Sequence, residues 1–257
     1  MAQPSISVLM PAYKAKATIM RAAKSVLDQD WPNIELVIAS DDGEDYIAVL
    51  ANHGLSDDRI RQVHTGGTGT GDWNARNSAL AAANGDLVTL IDSDDEYAPG
   101  RLSALAPIAN ANGAAIDNTQ LFLNDVVVAT LLHEDEERDS ATVEATAPLI
   151  LRDRTPVFPM WRRRDFRIGW HKLPHASDVI FSLELLSAAP QMRVISHGGY
   201  RYYKRPGSMT LSDTMTERSR TAYYSIIASI TAGNYALTPK IADFALYEIA
   251  KNLNQAK

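Results

Sequence analysis

The chain has 257 residues, no cysteine, and 25 basic against 31 acidic residues, for a net charge of −6 with histidine neutral. That length suits one large α/β domain, or one domain with a modest extension, and it can bury a sizeable core without staples. Disulfides, thiolate catalysis and zinc–cysteine sites are excluded, and the acidic balance argues against a general nucleic-acid binder, which would carry a basic surplus.

The opening Met1 to Lys14 segment lacks the basic start and cleavage site of a signal peptide. The sequence contains no run of about 20 apolar residues able to span a bilayer. The expected location is therefore cytoplasmic, with peripheral contact at the inner face of the membrane compatible with it.

In chain order, Ile6 to Met10 is a compact apolar run expected to be a strand stopped by Pro11. Ile19, Ala22, Ala23, Val26 and Leu27 then recur at helical spacing. Ile34 to Ala39 is a second strand, closed by the turn-forming Ser40-Asp41-Asp42-Gly43. Tyr46 to His53 reads as a helix with Gly54 after its end, and Ile60 to His64 as a weaker strand.

A glycine-rich stretch, Gly66 to Gly71, leads into a helix from Trp73 to Asn84, capped by Gly85. Leu87 to Ile91 is fully apolar, as a central buried strand should be, and runs straight into Asp92-Ser93-Asp94-Asp95. This alternation predicts a mostly parallel sheet covered by helices. Open sheets of that kind bind ligands beyond the carboxyl ends of their strands, and both acidic clusters fall at such ends.

After residue 113 the alternation weakens. Ala114 to Leu132 suggests two strands, and Glu134 to Asp139 a solvated acidic loop. Ser177 is a candidate cap for a helix through Asp178, Phe181, Leu185 and Leu186. Met192 to Ser196 and Tyr200 to Lys204 look like strands, and two helices split near Pro239 finish the chain.

Three carboxylates packed at a strand end repel one another, and a local cation is the simplest way to hold them ionised. Mg²⁺ and Mn²⁺ favour such oxygen ligands and keep positions for water and substrate phosphates. The competing reading of this segment is a solvated turn or helix cap. Asp42, beside Gly43, could accept from a nucleobase imide N–H while the glycine lets a flat ring approach, although Asp-Asp-Gly alone is also an ordinary turn. Arg76 and Asn77 open the helix after the glycines, where a guanidinium could pair with Asp42 or reach a phosphate. No Walker A loop and no GxGxxG follows the first strand.

The ordered set Pro11-Ala12-Tyr13, Asp41-Asp42-Gly43, Ala75-Arg76-Asn77, Ala83-Asn84-Gly85-Asp86 and Leu90-Ile91-Asp92-Ser93-Asp94-Asp95, with Pro99, resembles the family 2 glycosyltransferases of the GT-A fold. The resemblance covers about the first 105 residues closely. It implies a Rossmann-like α/β domain with a mostly parallel central sheet flanked by helices. Residues 1–112 would form the nucleotide-sugar-binding half, 113–212 the acceptor-binding half, and 213–257 a helical C-terminal extension.

It further implies an inverting, metal-dependent transfer from a nucleotide diphosphate sugar, by default UDP-linked, to a hydroxyl of a polysaccharide, lipid-linked glycan or small glycoside. Carried over residue by residue, Asp42 would hold the base with Arg76 supporting its pocket, and Pro11, Ala12 and Tyr13 would be further nucleotide-sugar contacts. Asp92 would face the ribose, Ser93 would lie beside it, and Asp94 would bind Mn²⁺ or Mg²⁺ with Asp95 close by. The catalytic base of the family falls on Asp178 in His175-Ala176-Ser177-Asp178, although the usual acidic residue before it is here Ser177; a plain helix-start aspartate is the bland alternative.

Tyr202 to Thr210 resembles the strand and loop after the acceptor helix, where Arg201, Lys204 and Arg205 would meet the leaving diphosphate or form a solvated edge. The Q-x-x-R-W motif of processive members is absent, which favours transfer of one sugar per encounter. Trp161-Arg162-Arg163-Arg164 either meets a phosphate-bearing or lipid-linked acceptor or is a surface cluster. His171 and His175 are interrupted by Pro174 and form no HExxH site. The alternatives to a transferase are a sugar nucleotidyltransferase, whose glycine-rich loop after the first strand is missing here, and a non-catalytic nucleotide-sugar-binding protein.

Overall fold

Four strands formed within the first 90 residues lie side by side in one sheet. The computed structural model describes residues 3–123, 125–132, 142–151, 156–204 and 215–255. The acidic run 134–139 and the segment 205–214 lie outside the described residues.

The first half runs β1 (Ile6–Ala12), α1 (Ile19–Leu27), β2 (Ile34–Ser40), α2 (Tyr46–Asn52), β3 (Ile60–His64), α3 (Asp72–Ala82), β4 (Leu87–Leu90), β5 (Glu96–Tyr97) and α4 (Arg101–Asn112). There follow β6 (Ala114–Asp117), β7 (Gln120–Leu123), β8 (Val126–Thr130), β9 (Thr142–Glu144), α5 (Ala147–Ile150), β10 (Met160–Arg162), α6 (Ser177–Ala188), β11 (Arg193–Ile195), β12 (Tyr200–Lys204), α7 (Met215–Thr231) and α8 (Pro239–Gln255).

The main sheet has the order β3-β2-β1-β4-β10-β6-β11-β9, and a second, four-stranded sheet has the order β5-β12-β7-β8. In the main sheet β3, β2, β1 and β4 are parallel, as are β6 and β11. The antiparallel pairs all involve β9 or β10. The mostly parallel α/β expectation therefore holds.

The α1 face is buried at Ile19, Ala22, Ala23, Val26 and Leu27, the residues its spacing selected. Beneath it β1 and β2 are nearly all buried, which is why their sequences are continuous rather than alternating. On the other side, Trp161 of β10 packs edge-on against Trp170 and Phe181, which stack on each other at 4.1 Å. Among the described residues no helix is long and apolar enough to cross a membrane.

Four local expectations need correction. Gly85 does not cap α3, which ends at Ala82 with Ala83 in the cap position. Pro11 does not stop β1, which continues to Ala12. Pairing with β4 ends at Leu9–Leu90 while pairing with β2 continues to Ala12–Ser40, so Pro11 occupies a stretch with a strand on one side only, where its missing N–H is tolerated. Ala114 to Leu132 holds three strands divided between both sheets. Ser177 is the first residue of α6 and not its cap; Ala176 takes that place, with φ +63° and no capping side chain.

Candidate active site

β4 ends at Leu90, and the acidic loop after it is held between α1 and β12 of the second sheet. Ile91 N–H still donates to Leu9 O at 2.9 Å, and Asp95 N–H turns back to Asp92 O at 3.0 Å. The loop is pinned from both sides. On the α1 side Thr18 Oγ1 donates to Ser93 O at 2.8 Å and Arg21 Nη2 to Asp94 O. On the β12 side Tyr200 Oη accepts from Asp92 N–H at 3.0 Å and donates to Asp95 Oδ2 at 2.8 Å.

The acids of this loop have different surroundings. Asp95 is fully buried, with Tyr203 N–H donating to its Oδ1 at 2.9 Å, so it braces the loop from inside instead of facing solvent. Burial, helped by the charges of Asp94 and Asp92, pushes its carboxyl well above the usual range, against the hydrogen bonds of Tyr203 and Tyr200. Asp92 accepts from Arg76 Nη2 at 3.1 Å. Burial raises its carboxyl, Asp94 and Asp178 add to the rise, and Arg76 opposes it.

Arg76 is the cationic hub. It is buried on α3, and its Nη1 donates to Asp72 Oδ2 at 2.8 Å. Burial alone would lower its pKa, but Asp92, Asp72 and Asp178 outweigh that and keep it charged. Asp178 lies in the first turn of α6, where the helix dipole favours a carboxylate. Its charge contributes to keeping Arg76 protonated and to raising Asp92, so it lies within electrostatic reach of that pair. Burial, with the charge of Arg218 adding to it, holds the His175 imidazole below the ordinary value against the opposing charges of Asp178 and Asp72, so the ring is neutral at neutral pH.

Beside this group stands a second pair of carboxylates. Asp41 is buried and closes the glycine-rich loop, its oxygens accepting from Thr65 Oγ1, Thr70 N–H and Oγ1, and Gly71 N–H at 2.5–3.0 Å. At Gly71, φ is +109° and a Cβ would come within 2.9 Å of Trp73 Nε1, so glycine is required there. Asp42 Oδ2 accepts from Lys14 N–H at 2.6 Å and Tyr46 Oη at 2.8 Å, while its Oδ1 has weaker contacts of 3.2 Å with Ser40 Oγ and Glu44 N–H. Pro11 and Ala12 end β1 next to this turn, and Tyr13 projects from it half-exposed.

The remaining candidates scatter. Arg201 pairs with Glu96 at 3.1 Å along the second sheet, Lys204 ends β12, and Arg205 lies outside the described residues. Arg162 is paired with Leu87, the first residue of β4, and Arg163 donates to Gly85 O. The Trp161 to Arg164 run therefore sits at the opposite end of β4 from Asp92, which removes it as an acceptor contact at this site. His171 is held by Glu184 at 2.9 Å and shares no ligand with His175.

Asp72 and Tyr200 belong to the site and were not anticipated. Asp72 stands four residues before Arg76 on a helix, a spacing that pairs opposite charges; Tyr200 carried no local signal.

The sequence of residues 7–170 matches the model of glycosyl transferase family 2. The chain belongs to that family. Among its relatives is the GalNAc(5)-diNAcBac-PP-undecaprenol beta-1,3-glucosyltransferase of Campylobacter jejuni, 32% identical over 44% of this chain and 37% of that protein. Another is the UDP-Glc:alpha-D-GlcNAc-diphosphoundecaprenol beta-1,3-glucosyltransferase WfgD of Escherichia coli, 36% identical over 48% of this chain and 49% of that one. The chain thus spans between a third and a half of the length of these curated relatives.

In fold, this family 2 chain is similar to S. aureus TarS 1-349 in complex with UDP-GlcNAc, with a TM-score of 0.69 at 21% identity, covering 96% of this chain and 71% of that one. It is also similar to the mannosyltransferase PcManGT of Pyrobaculum calidifontis in complex with GDP-Man and Mn2+, with a TM-score of 0.62 at 16% identity over 100% and 76% of the two chains. The architecture is the GT-A fold.

Among the described residues no group of three or more histidine or carboxylate side chains is arranged to hold a metal ion. A Mg²⁺ or Mn²⁺ ion that keeps its waters and shares substrate phosphates needs only one or two carboxylates. Burial is the main cause that raises Asp92, and the neighbouring charges of Asp94 and Asp178 add to it; a cation at this loop would offset that added negative charge. The residues present fit that kind of ion.

Proposed function

We propose that this chain is an inverting, metal-dependent glycosyltransferase that moves a sugar from a nucleotide diphosphate sugar, UDP-linked by default, to a hydroxyl of a lipid-linked or polysaccharide glycan. The observation that carries the reading is the joining of Asp92 to Arg76 at the end of β4, with Asp178 at the start of α6 close enough to act on both charges. The relatives whose names specify diphosphoundecaprenol-linked acceptors support a lipid-linked glycan. An acceptor of that kind favours peripheral contact with the inner membrane face.

In this reading the donor base lies against Pro11, Ala12 and Tyr13. Asp42 accepts from its imide N–H by exchanging the long Oδ1 contacts to Ser40 and Glu44. Arg76 holds Asp92 toward the ribose, and Ser93 lines the same edge. Asp94 would hold Mn²⁺ or Mg²⁺, which when bound offsets charge on the departing diphosphate. Lys204, the last residue of β12, would add positive charge on that side, whereas Arg201 is held by Glu96.

Asp178 takes the proton of the acceptor hydroxyl as its oxygen bonds to the anomeric carbon, and the bond to the diphosphate oxygen breaks on the opposite face. Residues 1–112 then serve the donor and 113–212 the acceptor, with 213–257 as a helical extension behind them.

The test is a thermal-shift screen of UDP, GDP, dTDP and CDP, each with and without Mn²⁺. A manganese-dependent upward shift with UDP is expected. Absence of any shift with all four would overturn the donor site.

A further inference from the structure

Asp72 makes a connection that the proposed chemistry does not use. Its Oδ2 accepts from Arg76 Nη1 at 2.8 Å and from Ser177 Oγ at 2.9 Å. Arg76 reaches Asp92 with its other nitrogen, at 3.1 Å. A continuous path therefore runs from Asp92 through Arg76 and Asp72 to Ser177, the residue immediately before Asp178.

The start of α6 has few other means of holding its place. Ala176 precedes it in the left-handed region, at φ +63°, and no side chain caps the helix. A non-glycine residue in that conformation persists only where its surroundings over-determine it. Ser177 is buried, and its hydroxyl is directed away from its own helix and onto α3.

α3 grips the segment leading into α6 a second time. Asn77 Nδ2 donates to Trp170 O at 2.8 Å, and Trp170 N–H donates to Asn77 Oδ1 at 2.9 Å. One helix thereby sets the spacing between the end of β4 and the start of α6.

We infer that Asp72 is a positioning residue, which through Ser177 fixes where Asp178 stands relative to the Arg76–Asp92 pair. The inference rests on the reading of Asp178 as the base. In this role Asp72 acts through Ser177 and Arg76, its hydrogen-bond partners, and not by contact with donor or acceptor. Its effect falls on the geometry of proton removal, where a displacement of about 1 Å can lower a rate by about a hundredfold.

Ser177→Ala in the full chain is the cleanest probe, because it removes the link to α6 and leaves the Arg76–Asp72 pair intact. Steady-state transfer and calorimetric binding of UDP with Mn²⁺ are measured for the wild type, Ser177→Ala, Ser177→Thr, Asp72→Ala and the Ser177→Ala/Asp72→Ala double variant. Ser177→Ala is expected to lose about tenfold to a hundredfold in kcat, with donor KM and UDP affinity unchanged. Ser177→Thr, which keeps the hydroxyl, should recover most of the rate. The double variant should be no slower than Asp72→Ala alone.

Unchanged kcat in Ser177→Ala, or parallel loss of turnover and UDP binding, would overturn the positioning role while leaving the transferase reading in place. A wild type that neither binds UDP nor transfers, or an Asp178→Asn variant that turns over normally, would instead sink the reading beneath it and the positioning role together.

Discussion

Tyr200 and Asp95, 105 positions apart in sequence, are joined by a 2.8 Å hydrogen bond from the phenol to the carboxylate. The same hydroxyl accepts from Asp92 N–H, so one oxygen from the second sheet ties both ends of the acidic loop. The ring itself is locked by stacking on Phe158, with centroids 3.6 Å apart and planes within 3°. Burial first, then the charges of Asp95 and Asp92, push the phenol well above its ordinary pKa, which keeps it a neutral donor.

Tyr200→Phe would retain the stack and remove the clamp. Asp95 would lose one of its two donors among the described residues, and the Asp92 N–H would lose its acceptor. An unfolding free energy lower by about 1–3 kcal/mol is expected, measured by urea denaturation. A change below about 0.5 kcal/mol, the range of an ordinary surface substitution, would contradict the clamp.

Asp41 gives a pH signature. Burial pushes its carboxyl up, but hydrogen bonds from Thr70, Thr65 and the Gly71 and Thr70 amides outweigh it and hold the folded-state pKa below the ordinary value. A group depressed on folding contributes stability above its unfolded pKa, about 3.9, and loses it as pH falls through the lower folded value. Asp41→Asn should therefore be less stable than the wild type at pH 7, with the gap closing below about pH 4. The measurement is urea denaturation across that range, and a gap independent of pH would count against the assignment.

Much of the first hundred residues was legible because burial is written there as local apolar runs. β2, β3 and β4, and the position of Asp92 beyond β4, follow from short stretches alone. The rest depends on distant partners. β10 is only three residues long and exists because β4 and β6 leave a slot between them, so the Trp161 to Arg164 run gave no hint of which end of the sheet it occupies. Ser177 looked like a helix cap because the left-handed turn at Ala176 cannot be inferred from an alanine. Tyr200 reaches the loop from β12 of the second sheet, 108 positions from Asp92 in sequence.

Asp94→Ala should separate metal from nucleotide. With Asp94 as the carboxylate shared with the ion, the variant should bind UDP with the same affinity whether or not Mn²⁺ is present. The wild type should bind about tenfold or more tightly with it, a difference of about 1.4 kcal/mol. Calorimetry reads both, and a variant that retains the full manganese effect would move the metal contact elsewhere.

The central claim is that Asp178 removes the acceptor proton in a transfer whose donor is held by the Asp92 and Asp94 loop. It is tested most directly by offering the wild type and Asp178→Asn a UDP-sugar panel with Mn²⁺ and a polyprenyl-diphosphate-linked glycan, following UDP release and acceptor mass. The predicted result is a sugar-sized mass gain with the wild type. Asp178→Asn should lose transfer by at least about a hundredfold, in the range of a lost general base, while still binding UDP with wild-type affinity. Equal turnover by the two proteins would contradict the account.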